Sequence, residues 1–355
     1  MPRYSGALAA VLLAMSRVAA PATLAQPAIP TLPTMKTEEG QTVIYDRYTW
    51  QRRELDKRLP LNLPWPDNEG TAIQAAFKAY GLDQPPVPAT IPIPSRIMTD
   101  IYLVNTVPNL TYLIDAGPAG LVLVDPGLEL NTESILKNVE KLGFSRSAIK
   151  WVVNTHAHLD HAWADAHFQR LGAKILIGRG DVAAVEKATD VTARSALPPA
   201  MAAAYPTFKV DWPVDDGEDL VLGNKTFRAI WTPGHTPGST CYLLTIDGKN
   251  ILFGGDTLLF DYRLGFQGNS YADDPAYLAS LRKLAQFRAT PSPAGKVRWD
   301  VLLPGHGAIV LDRAYLDVLK ALRQVEWDVH TGAEIKALPF YDDDYRKLMF
   351  GRPTP

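Results

Sequence analysis

Three histidines and an aspartate fall within six residues, in Thr155-His156-Ala157-His158-Leu159-Asp160-His161. Imidazole and carboxylate are the groups that bind zinc and similar ions, and such sites need several ligands converging on one point. A polar helix start would explain Asp160, because the helix dipole favours a carboxylate near the N-terminus. It would not explain three neighbouring imidazoles. The cluster therefore points to a metal site. His167 and His330 follow no motif and read as ordinary helix residues. The single cysteine, Cys241, sits in an apolar run and reads as a buried, inert thiol.

The cluster needs a scaffold that turns several side chains inward. Trp151-Val152-Val153 reads as a short buried strand ahead of it, and residues 161–171 have helical texture behind it. A strand-to-helix loop can aim several ligands at one point. Further strand-like runs are Ile101–Val104, Tyr112–Ile114, Leu121–Val124 and Lys174–Ile177. Later ones lie near 226–231, 240–245, 250–254 and 301–303, with helices over 131–142, 275–287 and 312–330. Two β-rich halves with helices outside predict a layered α/β fold.

The order of motifs resembles the metallo-β-lactamase superfamily. Its His-x-His-x-Asp-His pattern is matched by His156, His158, Asp160 and His161. Thr232-Pro233-Gly234-His235-Thr236-Pro237-Gly238-Ser239 resembles its second motif. Phe253-Gly254-Gly255-Asp256-Thr257 resembles the segment that supplies a bridging carboxylate, and Leu303-Pro304-Gly305-His306-Gly307 the final histidine motif. Upstream, Val124-Asp125-Pro126-Gly127 resembles an early Asp-x-Gly turn. The resemblance covers roughly residues 97–310 and implies a four-layer αββα sandwich.

It also implies roles. His156, His158 and His235 would hold a first zinc, Asp160, His161 and His306 a second, and Asp256 would bridge them. Iron, manganese or cobalt are alternatives to zinc. Asp125 would orient a ligand imidazole from behind. Such a pair of ions activates water for attack on a carbonyl carbon, and Asp160 would carry the proton to the leaving group. The carboxylate at Asp256 and the Gly-His-Gly setting of His306 resemble glyoxalase II and lactonase members. Exported zinc β-lactamases share the histidines but lack the bridging carboxylate. Ester, lactone or thioester hydrolysis is therefore expected ahead of β-lactam hydrolysis. A non-catalytic metal-binding protein is the alternative of another class. Leu259 stands where lactonases of acyl-homoserine lactones carry tyrosine, which argues against that branch. Phe260, Tyr262, Arg263, Phe266 and Tyr271 follow the bridging aspartate and are candidates for substrate contact, with the Tyr262 and Tyr271 hydroxyls placed to stabilise an oxyanion.

The 355 residues carry a formal net charge of -2, which gives no argument for nucleic acid or anionic membrane as partner; a small-molecule substrate is expected. Residues 1–25 combine Arg3, the apolar stretch Ala7–Met15 and Thr23-Leu24-Ala25, and read as a signal peptide. Export to the periplasm or beyond is the expectation, with no membrane attachment after cleavage. Residues 26–95 read as an N-terminal extension with helices near 41–59 and 69–82 and a Pro-rich connector at 85–94. That extension would act as a lid or as a homodimer contact. The metallo-β-lactamase domain is expected over 96–335, and 336–355 as a tail.

Overall fold

The central strands of the first half sort most of their side chains by parity. Ile101, Leu103, Tyr112, Ile114, Val122, Val124, Val153 and Leu176 enter one apolar cluster. Their neighbours Tyr102, Val104, Leu113, Leu121, Leu123, Val152, Ile175 and Ile177 enter another. Successive residues of a strand point to opposite faces, so near-continuous apolar runs make a sheet that is buried on both sides. The second half repeats the device. Tyr242, Leu244, Ile251, Phe253, Val301 and Leu303 join the first cluster, whereas Cys241, Leu243, Leu252 and Leu302 face a third.

The computed structural model describes residues 29–30, 32–56, 75, 77–259, 271–287 and 299–330. In chain order the strands are β1 (Met35–Lys36), β2 (Thr42–Ile44), β3 (Ser95–Met98), β4 (Ile101–Asn105), β5 (Thr111–Asp115), β6 (Leu121–Val124), β7 (Ile149–Asn154), β8 (Lys174–Gly178) and β9 (Trp212–Val214). They continue with β10 (Asp219–Leu222), β11 (Lys225–Trp231), β12 (Thr240–Ile246), β13 (Lys249–Gly255), β14 (Val301–Pro304) and β15 (Ile309–Val310). The helices are α1 (Arg47–Asp56), α2 (Thr132–Lys141), α3 (Leu159–Ala162), α4 (Asp165–Arg170), α5 (Val182–Lys187), α6 (Pro199–Ala204), α7 (Asp274–Gln286) and α8 (Tyr315–His330).

Among the described residues, β3 to β9 form one sheet in sequence order, and the second sheet runs β1-β2-β15-β14-β13-β12-β11-β10. The cluster shared by both halves lies between the sheets. Ile135, Leu136 and Val139 of α2 cover the outer face of the first sheet. Tyr277, Leu281 and Leu284 of α7, with Val318, Ala321 and Val325 of α8, cover the second. These spacings of three and four residues are those of an amphipathic helix. The result is the expected αββα sandwich.

Two differences from the sequence reading have physical causes. Residues 161–171 divide into α3 and α4 at Trp163–Ala164. The Ala164 N–H is taken by the carbonyl of Gly127, 2.9 Å away, outside the helix. The boundary expected at residue 96 also cuts through a sheet, because β2 pairs antiparallel with β15, Ile44 opposite Ile309 and Val43 opposite Val310. Among the described residues of 41–59, the helical part is α1. Of the helix expected over 69–82, the described residues 75 and 77–79 are helical. The signal segment, Phe260, Tyr262, Arg263, Phe266 and the tail lie outside the described residues.

Candidate metal centre

Parallel pairing gathers the chemistry at one edge. β6, β7 and β8 run parallel, as do β13 and β14. The loops that leave parallel neighbours emerge on the same side, which is where open α/β sheets build sites. Asp125 follows β6, the histidine cluster follows β7, Asp256 follows β13, and His306 follows β14. The loop between β11 and β12 brings His235.

Seven side chains meet there in two groups. Ligand-type atoms of His156, His158, His235 and Asp256 lie within 4.8 Å of one another, and so do those of Asp160, His161 and His306. His158 Nδ1 stands 3.0 Å from His235 Nε2. Asp256 joins the groups, with one oxygen 3.3 Å from His161 Nε2 and the other 3.6 Å from both His235 Nε2 and His306 Nε2. His306 Nε2 lies 3.1 Å from Asp160 Oδ2.

The ring orientations are held from behind. A carboxylate can only accept, so His161 donates Nδ1–H to Asp125 at 3.0 Å and turns Nε2 into the site. His306 donates Nδ1–H to the Pro108 carbonyl at 2.9 Å, with the same outcome. Asp125 also accepts from the Thr155 N–H at 2.8 Å and the Thr155 hydroxyl at 2.7 Å. Its backbone is left-handed, with φ 51°. The turn is held by Asn109 and Thr111, which both donate to the Asp125 carbonyl.

The metal-free electrostatics divide along the same line. Burial pushes the His156 imidazole well below its usual range, helped by its histidine neighbours. Burial likewise brings His158 down to about 3 and His235 to about 4. Three neutral imidazoles thus present lone pairs. In the other group burial also opposes charge, but Asp256, Asp160 and Asp125 outweigh it and raise His161 well above its usual range. His306 is raised too, against its burial, by Asp256 and Asp160. Asp256 and Asp160 are held low by these imidazoles in spite of burial.

This donor set fits a metal. His156 Nε2 and Asp256 Oδ1, both facing the cluster, are buried with no hydrogen-bond partner. Unpaired buried polar atoms are uncommon, and converging lone pairs of imidazole and carboxylate are what a divalent cation satisfies.

Tyr271, expected to face an oxyanion, has its hydroxyl 3.1 Å from His158 Nε2. With Nδ1 given to a metal, Nε2 would carry the proton and the tyrosine oxygen would accept it. Tyr271→Phe is therefore expected to weaken metal binding by ~10–100-fold, the usual cost of losing a partner behind a ligand. Competition with a chromophoric chelator would measure this, and an unchanged affinity with lowered turnover would return Tyr271 to the oxyanion role.

His167 lies apart from both groups, its ring 5.9 Å from that of Phe168. Cys241 is buried, and burial pushes its thiol up to about 11, so it is no nucleophile at neutral pH. Sequence reasoning missed Asp181. Its buried carboxylate accepts from the Ala157 N–H inside the histidine cluster.

The family model that describes the metallo-beta-lactamase superfamily matches residues 104–296, more than half of the chain. The chain belongs to this superfamily. A probable metallo-hydrolase of Burkholderia pseudomallei is 32% identical over 200 residues, 50% of this chain and 64% of that protein. A hydroxyacylglutathione hydrolase of Maricaulis maris is 33% identical over 157 residues, 44% of this chain and 49% of that protein. The chain thus spans less than two thirds of the length of these curated relatives. Among solved structures, a metallo-beta-lactamase of Cronobacter sakazakii with a HARLDQ motif superposes with TM-score 0.52 at 23% identity, covering 67% of this chain and 93% of that one. A metallo-beta-lactamase family protein of Thermus thermophilus gives TM-score 0.52 at 21% identity, covering 66% of this chain and 82% of that one. At these identities the superpositions speak for the fold alone, and they agree with the four layers. Members of the superfamily are metal-dependent hydrolases, and the His/Asp centre is consistent with that chemistry.

Proposed function

We propose that this chain is a hydrolase that holds two zinc-type ions and opens an ester, lactone or thioester. The observation that carries the reading is Asp256, a buried carboxylate with one oxygen turned to His161 and the other to His235 and His306. His156, His158 and His235 would hold one ion, Asp160, His161 and His306 the other, and Asp256 would touch both. Two such ions supply Lewis acidity and lower the pKa of water towards neutrality. Asp160 is the more open of the two carboxylates, its side chain 29% exposed against 6% for Asp256. Its depressed pKa leaves it ionised at neutral pH. It can take the proton of the attacking water at Oδ2 and hand it to the leaving oxygen or sulfur. The Asp125 and Pro108 contacts keep His161 and His306 from turning during this transfer.

The ester-type preference is supported by that shared carboxylate and by the likeness to hydroxyacylglutathione hydrolases. Export is proposed on the signal-like character of residues 1–25, and N-terminal sequencing of protein from whole cells tests it. For the activity, the purified protein is screened against lactones, aryl esters, thioesters and carbapenems, before and after chelation. Turnover of the first three that chelation abolishes and zinc restores is expected. Turnover of carbapenems alone would overturn the substrate class. A folded chain with less than one metal ion and no turnover would leave a fold without the activity.

A further inference from the structure

Asp181 is fully buried and lies outside both histidine groups. It ends a short turn, Arg179–Asp181, that follows β8 in the first sheet. One of its oxygens accepts from the Ala157 N–H at 2.9 Å and from the Thr236 hydroxyl at 2.6 Å. The other accepts from the Gly238 N–H at 2.7 Å. Ala157 stands between His156 and His158, and Thr236 directly follows His235.

The two loops come from different halves of the sandwich. His156 and His158 follow β7 of one sheet, and His235 precedes β12 of the other. Their side chains must meet to within a few tenths of an ångström for a metal to be held. The backbones are close-packed at this seam. A Cβ at Gly180 would lie 2.6 Å from the Pro237 carbonyl oxygen, and one at Gly238 would lie 2.6 Å from Asp181 Cβ. We infer that Asp181 is a positioning residue that sets the separation of His156 and His158 from His235, and with it the affinity of that group for metal. The inference rests on the two-metal reading above.

Three donors use both carboxylate oxygens. An amide at this position accepts through one oxygen only, so Asp181→Asn sets an N–H against an N–H or O–H donor. Burial pushes the Asp181 pKa up to about 6, so its folded value lies above the ordinary one near 4. The contribution to stability is then largest at low pH and is lost as pH rises through that window, leaving the charged form a burden at neutral pH.

Zinc titration of the metal-free protein, followed by imidazole 1H–15N correlation spectra, reads each histidine separately. In Asp181→Asn the zinc needed to shift His156, His158 and His235 should rise by ~10–100-fold, while His161 and His306 stay within about twofold of wild type. A uniform weakening of all five, or none at all with a lowered Tm, would overturn the inference and leave Asp181 a plain core residue. Should the asparagine variant fail to fold, Thr236→Val removes only the hydroxyl. A smaller shift confined to the same three histidines is expected, and no such shift would equally overturn the inference. Wild-type protein in which zinc moves no histidine would instead sink the metal reading itself.

Discussion

Asp256→Ala should lower hydrolysis by well over ~100-fold and leave at most about one metal ion per chain, because it removes the carboxylate shared by both histidine groups. Loss of a partner one step removed from a metal already costs ~10–100-fold, and loss of a shared ligand must cost more. The fold should survive. In the metal-free protein Asp256 is held ionised, against its burial, by His306 and His161. Without it, His161 still faces Asp125 and Asp160, and His306 still faces Asp160, so neither imidazole is left without a carboxylate partner. Circular dichroism, and the Tm compared between the metal-free proteins, should therefore stay near wild type while metal analysis and turnover collapse. Retention of two ions with normal turnover would remove Asp256 from the centre.

The second large effect is expected from one methyl group. Gly305 precedes His306, and a Cβ there would press on Asp256 Oδ1 and lie 2.6 Å from His161 Cε1. Its backbone is also pinned on both sides, N–H to the Gly255 carbonyl and C=O from the Leu110 N–H, each at 2.8 Å. The added methyl must displace Asp256 or His161. A misplacement of about 1 Å at a reacting centre costs ~100-fold in rate, whereas overpacking costs ~1–3 kcal/mol of stability. Gly305→Ala should thus lose about two orders of magnitude in kcat with a modest fall in Tm. Gly255 makes a poorer test, since its φ of 50° adds backbone strain to the crowding against Thr155. Normal kcat in Gly305→Ala would show that the centre can give way.

The site was legible where ligand types cluster along the chain. His156, His158, Asp160 and His161 crowd one loop because the strand β7 ends there, so composition and spacing alone revealed them. His235 and His306 are single residues in Gly- and Pro-containing turns and Asp256 follows two glycines, and only the order of motifs drew them in. Asp181 left no trace in the sequence. Its partners are backbone N–H groups and a threonine 55 residues further on, and such contacts depend on how the two sheets stack. Tyr271 was picked out as a residue of the site, but its distance from His158 depends on tertiary packing. The layers were readable from buried apolar runs. The place of residues 35–44 was not, because a three-residue strand such as Thr42–Ile44 carries too few positions to show a period.

That short N-terminal strand changes what counts as the portable unit of this protein. β15 begins three residues after His306 and is clasped between β14 and β2, with Val310 opposite both Leu302 and Val43. The ancestry visible in residues 104–296 and the piece of chain that can hold its own shape are therefore different lengths. A graft, a library or a protease that keeps only the recognisable stretch takes away β2, β14 and β15, and His306 with them. It also bares a row of unpaired peptide groups on β13, whose neighbour β14 is lost, the kind of open ladder to which other chains stick.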